Sequence, residues 1–185
     1  MKKILLITAG VLIALALLFS WFKQNTKKAS PQSTASYIHE GLNINISYCQ
    51  PAAKGRVIFG DEQAGALQPY GQYWRVGANE ATTIDISSSI KINDKELKAG
   101  KYALYAYPGA STWTICINTD WDRWGATEPD PKNDVFRTEI EANNNAPMQE
   151  LFLISFDNAD STGSAYLNLH WDKTLVKIPF SKINL

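Results

Sequence analysis

The stretch Thr82–Asn118, TTIDISSSIKINDKELKAGKYALYAYPGASTWTICIN, decides the fold class. Ile84, Ile86, Ile90 and Ile92 all fall on even positions, with Asp85 and Lys91 between them. Trp113, Ile115 and Ile117 alternate with Thr112, Thr114 and Cys116. Successive side chains of a strand point to opposite faces, so this period of two marks half-buried strands. Tyr102–Tyr107 is nearly all apolar, as suits a central strand covered on both faces. Turn signals punctuate the runs at Asn93-Asp94, Ala99-Gly100 and Pro108-Gly109.

Outward from this stretch the period recurs. Ile44, Ile46 and Tyr48 alternate with Asn43, Asn45 and Ser47; Leu167 and Leu169 alternate with Asn168 and His170. Strands are expected near 43–48, 56–60, 73–77, 82–92 (one or two), 102–107, 112–118, 134–141, 150–157, 164–171 and 174–180. Residues 61–72 and 119–133 read as loops, and no capped helical stripe follows residue 40. Short strands with frequent turns predict an all-β, antiparallel two-sheet β-sandwich or jelly roll as a single domain over residues 37–185.

The N-terminus is a different kind of chain. Ile4 to Phe22 are 19 consecutive uncharged, mostly apolar positions behind Lys2 and Lys3. As a helix they would span about 28 Å at ~1.5 Å per residue, close to a ~30 Å hydrocarbon core. Residues 1–22 are therefore read as a single-pass transmembrane anchor, with a cleaved signal helix and a secreted or periplasmic product as the alternative. Residues 23–36, polar and rich in Ser, Thr and Lys, read as a tether. The short N-terminal tail places the following domain outside the cytoplasm, tied to the cell membrane. Membrane contact through this helix is thus one expected partnership.

The whole chain of 185 residues carries 18 basic and 18 acidic side chains. Residues 1–36 hold five lysines and no acid, which leaves the remainder with 13 basic and 18 acidic residues, a net charge of −5. Such a domain does not offer the cationic surface that nucleic acid requires. Two cysteines, Cys49 and Cys116, either bond to each other outside the cytoplasm or remain free. His39 and His170 lack metal-ligand spacing. The acid-rich loop 119–133 fails the calcium-hand pattern, with Trp124 at its fifth position and Pro131 at its twelfth. There is no G-x-S-x-G elbow, dinucleotide fingerprint or phosphate loop, so no metal or cofactor is expected.

The densest patch of unusual residues is Tyr70–Ile84, YGQYWRVGANEATTI. Arg75 beside Trp74 offers a planar surface for a carboxylate, phosphate or sugar. Gly77 permits a positive φ and Asn79 tolerates one. The alternative is a structural corner in which Arg75 and Glu80 pair with each other or with Arg56. Trp121 and Trp124, in the long loop, are better ligand candidates than Trp113 and Trp171, which sit in phase with apolar neighbours.

Several motifs together resemble a known family. They are K-G-R at Lys54–Arg56 with Phe59-Gly60, P-Y-G at Pro69–Gly71 and W-R-x-G-A-N-E at Trp74–Glu80. A-G-x-Y at Ala99–Tyr102, Trp124-Gly125 and D-V-x-R at Asp134–Arg137 complete the set. The chain from about Tyr48 onward resembles the bacterial domain of unknown function 2911 family of exported and membrane-anchored Bacteroidetes proteins. That family usually carries arginine before the proline of its first motif, where this chain has Gln50. The resemblance implies an all-β exported domain and directs attention to Arg56, Trp74, Arg75, Asn79, Glu80 and Arg137. The leading expectation is a pocket for a small polar ligand, or a surface for a cell-envelope partner. Arg56, Arg75 and Arg137 would hold an anionic or sugar-like group, Asn79 and Glu80 would orient it, and Trp124 would cover it. A second reading is an envelope hydrolase acting on a glycan or ester with Glu80 as acid or base. A third is a structural or assembly module in which these residues only hold a corner together.

Overall fold

The computed structural model describes residues 2–158 and 164–183. A helix, α1 (Lys2–Ala29), leads into β1 (Gln32–His39) and β2 (Leu42–Cys49). Two short strands follow, β3 (Phe59–Gly60) and β4 (Gln68–Pro69). Then come β5 (Thr82–Ile86), β6 (Ile90–Ile92), β7 (Lys95–Leu97), β8 (Gly100–Tyr107) and β9 (Thr112–Asn118). The chain finishes with β10 (Asp134–Asn143), β11 (Gln149–Asp157), β12 (Ala165–Asp172) and β13 (Thr174–Lys182).

Eleven strands join one large antiparallel sheet in the order β1-β2-β5-β8-β9-β10-β13-β12-β11, with β6 on β13 and β7 on β6. The expectation of a mostly β, antiparallel domain is met by this large open sheet, and β3 and β4 pair in parallel as a separate two-stranded sheet. Strand β10 is its corner: Asp134–Glu141 pair with β9, whereas Ala142 and Asn143 pair with β13. Strands distant in this order meet through the core. The backbone N–H of Ile154 on β11 donates to the Tyr48 hydroxyl on β2 at 3.1 Å, and Tyr37 on β1 packs edge-on against Phe180 on β13. The even-numbered isoleucines Ile44, Ile46, Ile84, Ile86, Ile90 and Ile92 are all buried in one cluster, each contributing about 1.5–3 kcal/mol over exposure.

Four differences from expectation stand out. Residues 32–36, expected as tether, form most of β1 and pair with β2 along its whole length. Its sequence QSTASYIH lacks apolar alternation because most of its side chains are exposed; the two-residue turn Glu40-Gly41 (φ 45° and 76°) sets the register. Residues 24–29 belong to α1. Residues 73–77 do not form a strand: only Trp74 bridges Ala106, because Val76 (φ 52°) and Asn79 (φ 60°) turn the backbone left-handed. Both cysteines are buried free thiols, so the bonded alternative does not hold. Among the described residues no helix is long and apolar enough to cross a membrane; the side chains of 4–7, 9 and 22 in the expected anchor lie outside the described set.

Candidate functional site

The site grows from the backbone of Trp74–Glu80. Trp74 exchanges backbone hydrogen bonds with Ala106 (2.8 and 2.9 Å), which drives its indole inward. There it meets Phe59, Trp113, Phe152 and Trp171 in one aromatic cluster and is 2% exposed. Trp74 is therefore an anchor of the loop, and no ligand reaches it. Beyond it the chain adopts a conformation that β-branched residues avoid. Val76 sits fully buried at φ 52°, a strain of about 1–3 kcal/mol. The Thr82 hydroxyl holds it by donating to the Val76 carbonyl at 2.6 Å. Gly77 (φ 140°) lies so close to β2 that a Cβ there would stand 2.9 Å from the Cys49 carbonyl oxygen. Asn79 is buried; its Nδ2 donates to the Ser30 carbonyl just past α1, and its own carbonyl accepts from Gly125 N (3.0 Å). A Cβ at Gly125 would lie 2.8 Å from Arg75 Cδ and 3.1 Å from Asn79 O, so a larger residue there would displace the Arg75 side chain.

This turn delivers Arg75 to a cleft of about 350 Å³. Its walls are the Pro51–Arg56 loop, Leu67 and Gln68, the 75–79 turn and the end of α1 at Ala29 and Ser30, with Trp171 also lining it. Lys54, Arg56 and Arg75 all line it, and among the described residues no acidic one does, although the Glu150 carboxylate accepts from the Lys54 backbone N–H at 2.9 Å. Arg75 is half-buried, and Nη1 donates to the Asn79 carbonyl at 3.2 Å. Burial pulls its guanidinium below the ordinary arginine range, and the nearby charge of Arg123 adds to that. Arg56 is fastened to its own loop, Nε donating to Ala53 O (3.0 Å) and Nη2 to Ala52 O (2.6 Å). Among the described residues none of these three cations forms an ion pair.

Glu80 lies on the other side of the turn. It lines a neighbouring cleft of about 230 Å³ with Cys49, Lys101, Trp121, Asp122 and Arg123. Its Oε1 pairs with Lys27 Nζ of α1 at 2.7 Å, and the Cys49 thiol lies 3.7 Å from Oε2. Burial pushes the Glu80 carboxyl up, but Lys27 and hydrogen bonding outweigh it and hold the group below its ordinary range. Burial keeps the Cys49 thiol above its ordinary value. Trp124 forms a backbone bridge to Glu80, is 40% exposed and lines neither cleft, so it does not cover the cations.

Arg137 is elsewhere. Its Nε donates to Asp134 Oδ2 at 2.7 Å and Nη2 to the Tyr105 hydroxyl at 3.2 Å, and the guanidinium stands 5.3 Å from the Tyr107 ring centroid. The same Asp134, with a 7% exposed side chain, accepts from Tyr105 and from Asn118 Nδ2 (2.8 Å). Asp134 holds Arg137 above the usual arginine range. The expected convergence of Arg56, Arg75 and Arg137 is thus two arginines in a cleft and one in a closed network.

Residues 30–180 match the family described as protein of unknown function (DUF2911). The chain belongs to that family. Comparison with curated proteins and with solved structures gave no significant match. The family match begins at residue 30, so it takes in β1 and the Ser30 carbonyl that Asn79 holds. Within this DUF2911 chain K-G-R supplies two cations of the cleft, W-R-x-G-A-N-E the third and its strained turn, and Trp124-Gly125 the close approach beneath Arg75. D-V-x-R supplies the Asp134–Arg137 pair. The only sequence signal for Lys54 is its place two residues before Arg56 in K-G-R. Gln68 and the end of α1 carried no signal, since only the fold brings them there.

Proposed function

We propose that this protein is a domain tethered by α1 to the cell membrane, on the extracytoplasmic side, that binds a small anionic ligand between Lys54, Arg56 and Arg75. The observation that carries the reading is a cleft whose described lining includes Lys54, Arg56 and the half-buried Arg75 and no acidic residue, while the Glu150 carboxylate accepts from the Lys54 backbone N–H at 2.9 Å. Burying a charge without a partner is costly, and an anion would supply the missing counter-charge. The guanidinium geometry favours a carboxylate or phosphate, which accepts two parallel hydrogen bonds. A strained Val76 beside Arg75 fits a turn kept for what it presents. The uncharged run Ile4–Phe22 supports the tether. An envelope protein presenting a carboxylate would meet the same cations. The hydrolase reading gains no support from Glu80, whose carboxyl is ion-paired and held low where a general acid needs it raised.

Calorimetric titration of the full-length protein in uncharged detergent, with inorganic phosphate and with succinate, tests this reading. Saturable binding that weakens with salt, and at least tenfold in Arg75→Gln, is the expected result. Absence of binding by either anion at millimolar concentration overturns it.

A further inference from the structure

Asn79 has two holds that lead in different directions. Its backbone carbonyl accepts from Arg75 Nη1 at 3.2 Å and from Gly125 N at 3.0 Å. Its side-chain Nδ2 donates to the Ser30 carbonyl at 3.2 Å and to the Thr26 carbonyl at 3.4 Å. The carbonyl therefore steers a cation of the cleft, while the amide grips the last turn of α1 and the residue just past it. A left-handed backbone at φ 60° lets one residue face both ways, and Asn79 is 6% exposed, so both holds are sheltered from water.

The next residue repeats the grip. Glu80 Oε1 meets Lys27 Nζ at 2.7 Å, and neither residue lines the cation cleft. Between these two contacts the helix end supplies Ala29 and Ser30 as a wall of the cleft, with Ser30 buried and its N–H donating to Thr26 O at 3.1 Å. The carboxyl end of a helix carries partial negative charge, which by itself would oppose an anion. Here Asn79 takes up the Ser30 carbonyl, and Lys27 and Lys28 in the last turn offset that charge. The seated helix end thus completes the cleft and fixes the residue that aims Arg75.

We infer that seating of the α1 end and anion binding are linked through Asn79: the seated end sets the cleft for the anion, and a bound anion tightens the seat. This rests on the anion-binding reading above and adds its regulation. Linkage is reciprocal, so the factor by which seating strengthens the anion is the factor by which the anion strengthens seating. Asn79 is a positioning residue for Arg75, and anything that pulls α1 off the turn weakens anion binding without touching the anion. The cleft is then a site whose affinity reports whether α1 is seated on the domain.

The test uses the full-length protein in uncharged detergent with inorganic phosphate as the probe. In the parent protein, saturating phosphate should raise the amide protection of residues 26–30, relative to the intrinsic exchange rate, by about fivefold or more. Arg75→Gln should abolish that gain. Two variants run the linkage backwards. Lys27→Gln with Glu80→Gln exchanges a charge pair for a neutral pair, so it loosens α1 with the net charge near the cleft unchanged. Asn79→Gly keeps the left-handed backbone and its carbonyl and removes only the amide. Each should lower the protection of 26–30 and weaken phosphate by about threefold or more, because the binding-competent fraction falls. A merely structural Asn79 would not let phosphate protect α1. Phosphate binding with the protection of 26–30 unchanged overturns the linkage and leaves the anion site standing. Variants that loosen α1 at full affinity, or lose affinity with α1 still seated, overturn it as well. No binding of phosphate or succinate overturns both this inference and the anion-binding reading.

Discussion

Arg75 and Arg137 stand in two signature motifs of one chain and are in opposite situations. Arg137 lies on a strand, meets a nearly buried carboxylate at 2.7 Å and shares it with Tyr105 and Asn118. Arg75 lies on a strained turn, is half-buried, and has one carbonyl as its partner while Lys54 and Arg56 line the same cleft. A guanidinium with its charge already balanced holds a structure together. One without that balance is available to something outside the chain. The difference comes from what surrounds each arginine, so motif membership alone does not sort binding residues from structural ones.

The largest effect should come from the closed network. Asp134→Ala removes the carboxylate that three groups share and should lower unfolding free energy by about 2–4 kcal/mol in urea titration, with anion binding unchanged in the protein that remains folded. A loss under about 1 kcal/mol would remove the contrast. Gly77→Ala comes next. Its Cβ meets the Cys49 carbonyl at 2.9 Å in a φ region that alanine avoids, so about 1–3 kcal/mol should be lost. Because this turn aims Arg75, anion affinity should fall as well. Loss of stability with full affinity would separate the turn from the site.

Arg75→Gln should do the reverse of Asp134→Ala. It gives up one hydrogen bond and relieves a buried charge, so the unfolding free energy should move by less than about 1 kcal/mol. Affinity for phosphate should drop at least tenfold.

The smallest effect concerns the α1 contact. Glu80 is held below the ordinary carboxylate range, so its contribution is complete above that range and is lost as pH falls through its lowered value. Lys27 is raised, by its hydrogen bond to Glu80 first, so its contribution is complete below the usual ammonium value and fades as pH rises past its raised one. The Lys27–Glu80 pair should therefore persist across neutral pH and weaken at both extremes. Protection of residues 26–30 against amide exchange, relative to the intrinsic rate, should fall as pH drops below the ordinary carboxylate range. In Lys27→Gln, NMR titration should find the Glu80 carboxyl higher than in the parent protein. An unchanged Glu80 would mean that its environment, and not α1, sets its charge.

The strands that the alternation located are those with one face in the core. Ile84, Ile86, Trp113, Ile115 and Ile117 bury as their period requires, and the strands they define are present. Strand β1 was illegible because its pairing with β2 is a backbone matter, and most of its side chains face solvent. Residues 73–77 misled for the opposite reason. Trp74 and Val76 are apolar and buried, yet a positive φ at Val76 stops the strand.

In the site, Arg56, Arg75 and Asn79 were readable as polar residues in an unusual segment. Their company was not. Asp134 and Arg137 are three apart, which on a regular strand points them to opposite faces. A bulge between Asp134 and Phe136 adds one residue opposite β9 and brings the pair to the same side. That irregularity, invisible in the residue string, is what lets Arg137 pair with Asp134.

The most direct measurement is phosphate affinity and melting temperature taken together for the parent protein, Arg75→Gln and Arg137→Gln. The account predicts a crossed result: Arg75→Gln loses at least tenfold in affinity with its melting temperature nearly unchanged, and Arg137→Gln melts several degrees lower with its affinity intact. If both substitutions lower the melting temperature and neither alters phosphate binding, Arg75 is as structural as Arg137 and the cleft is not an anion site.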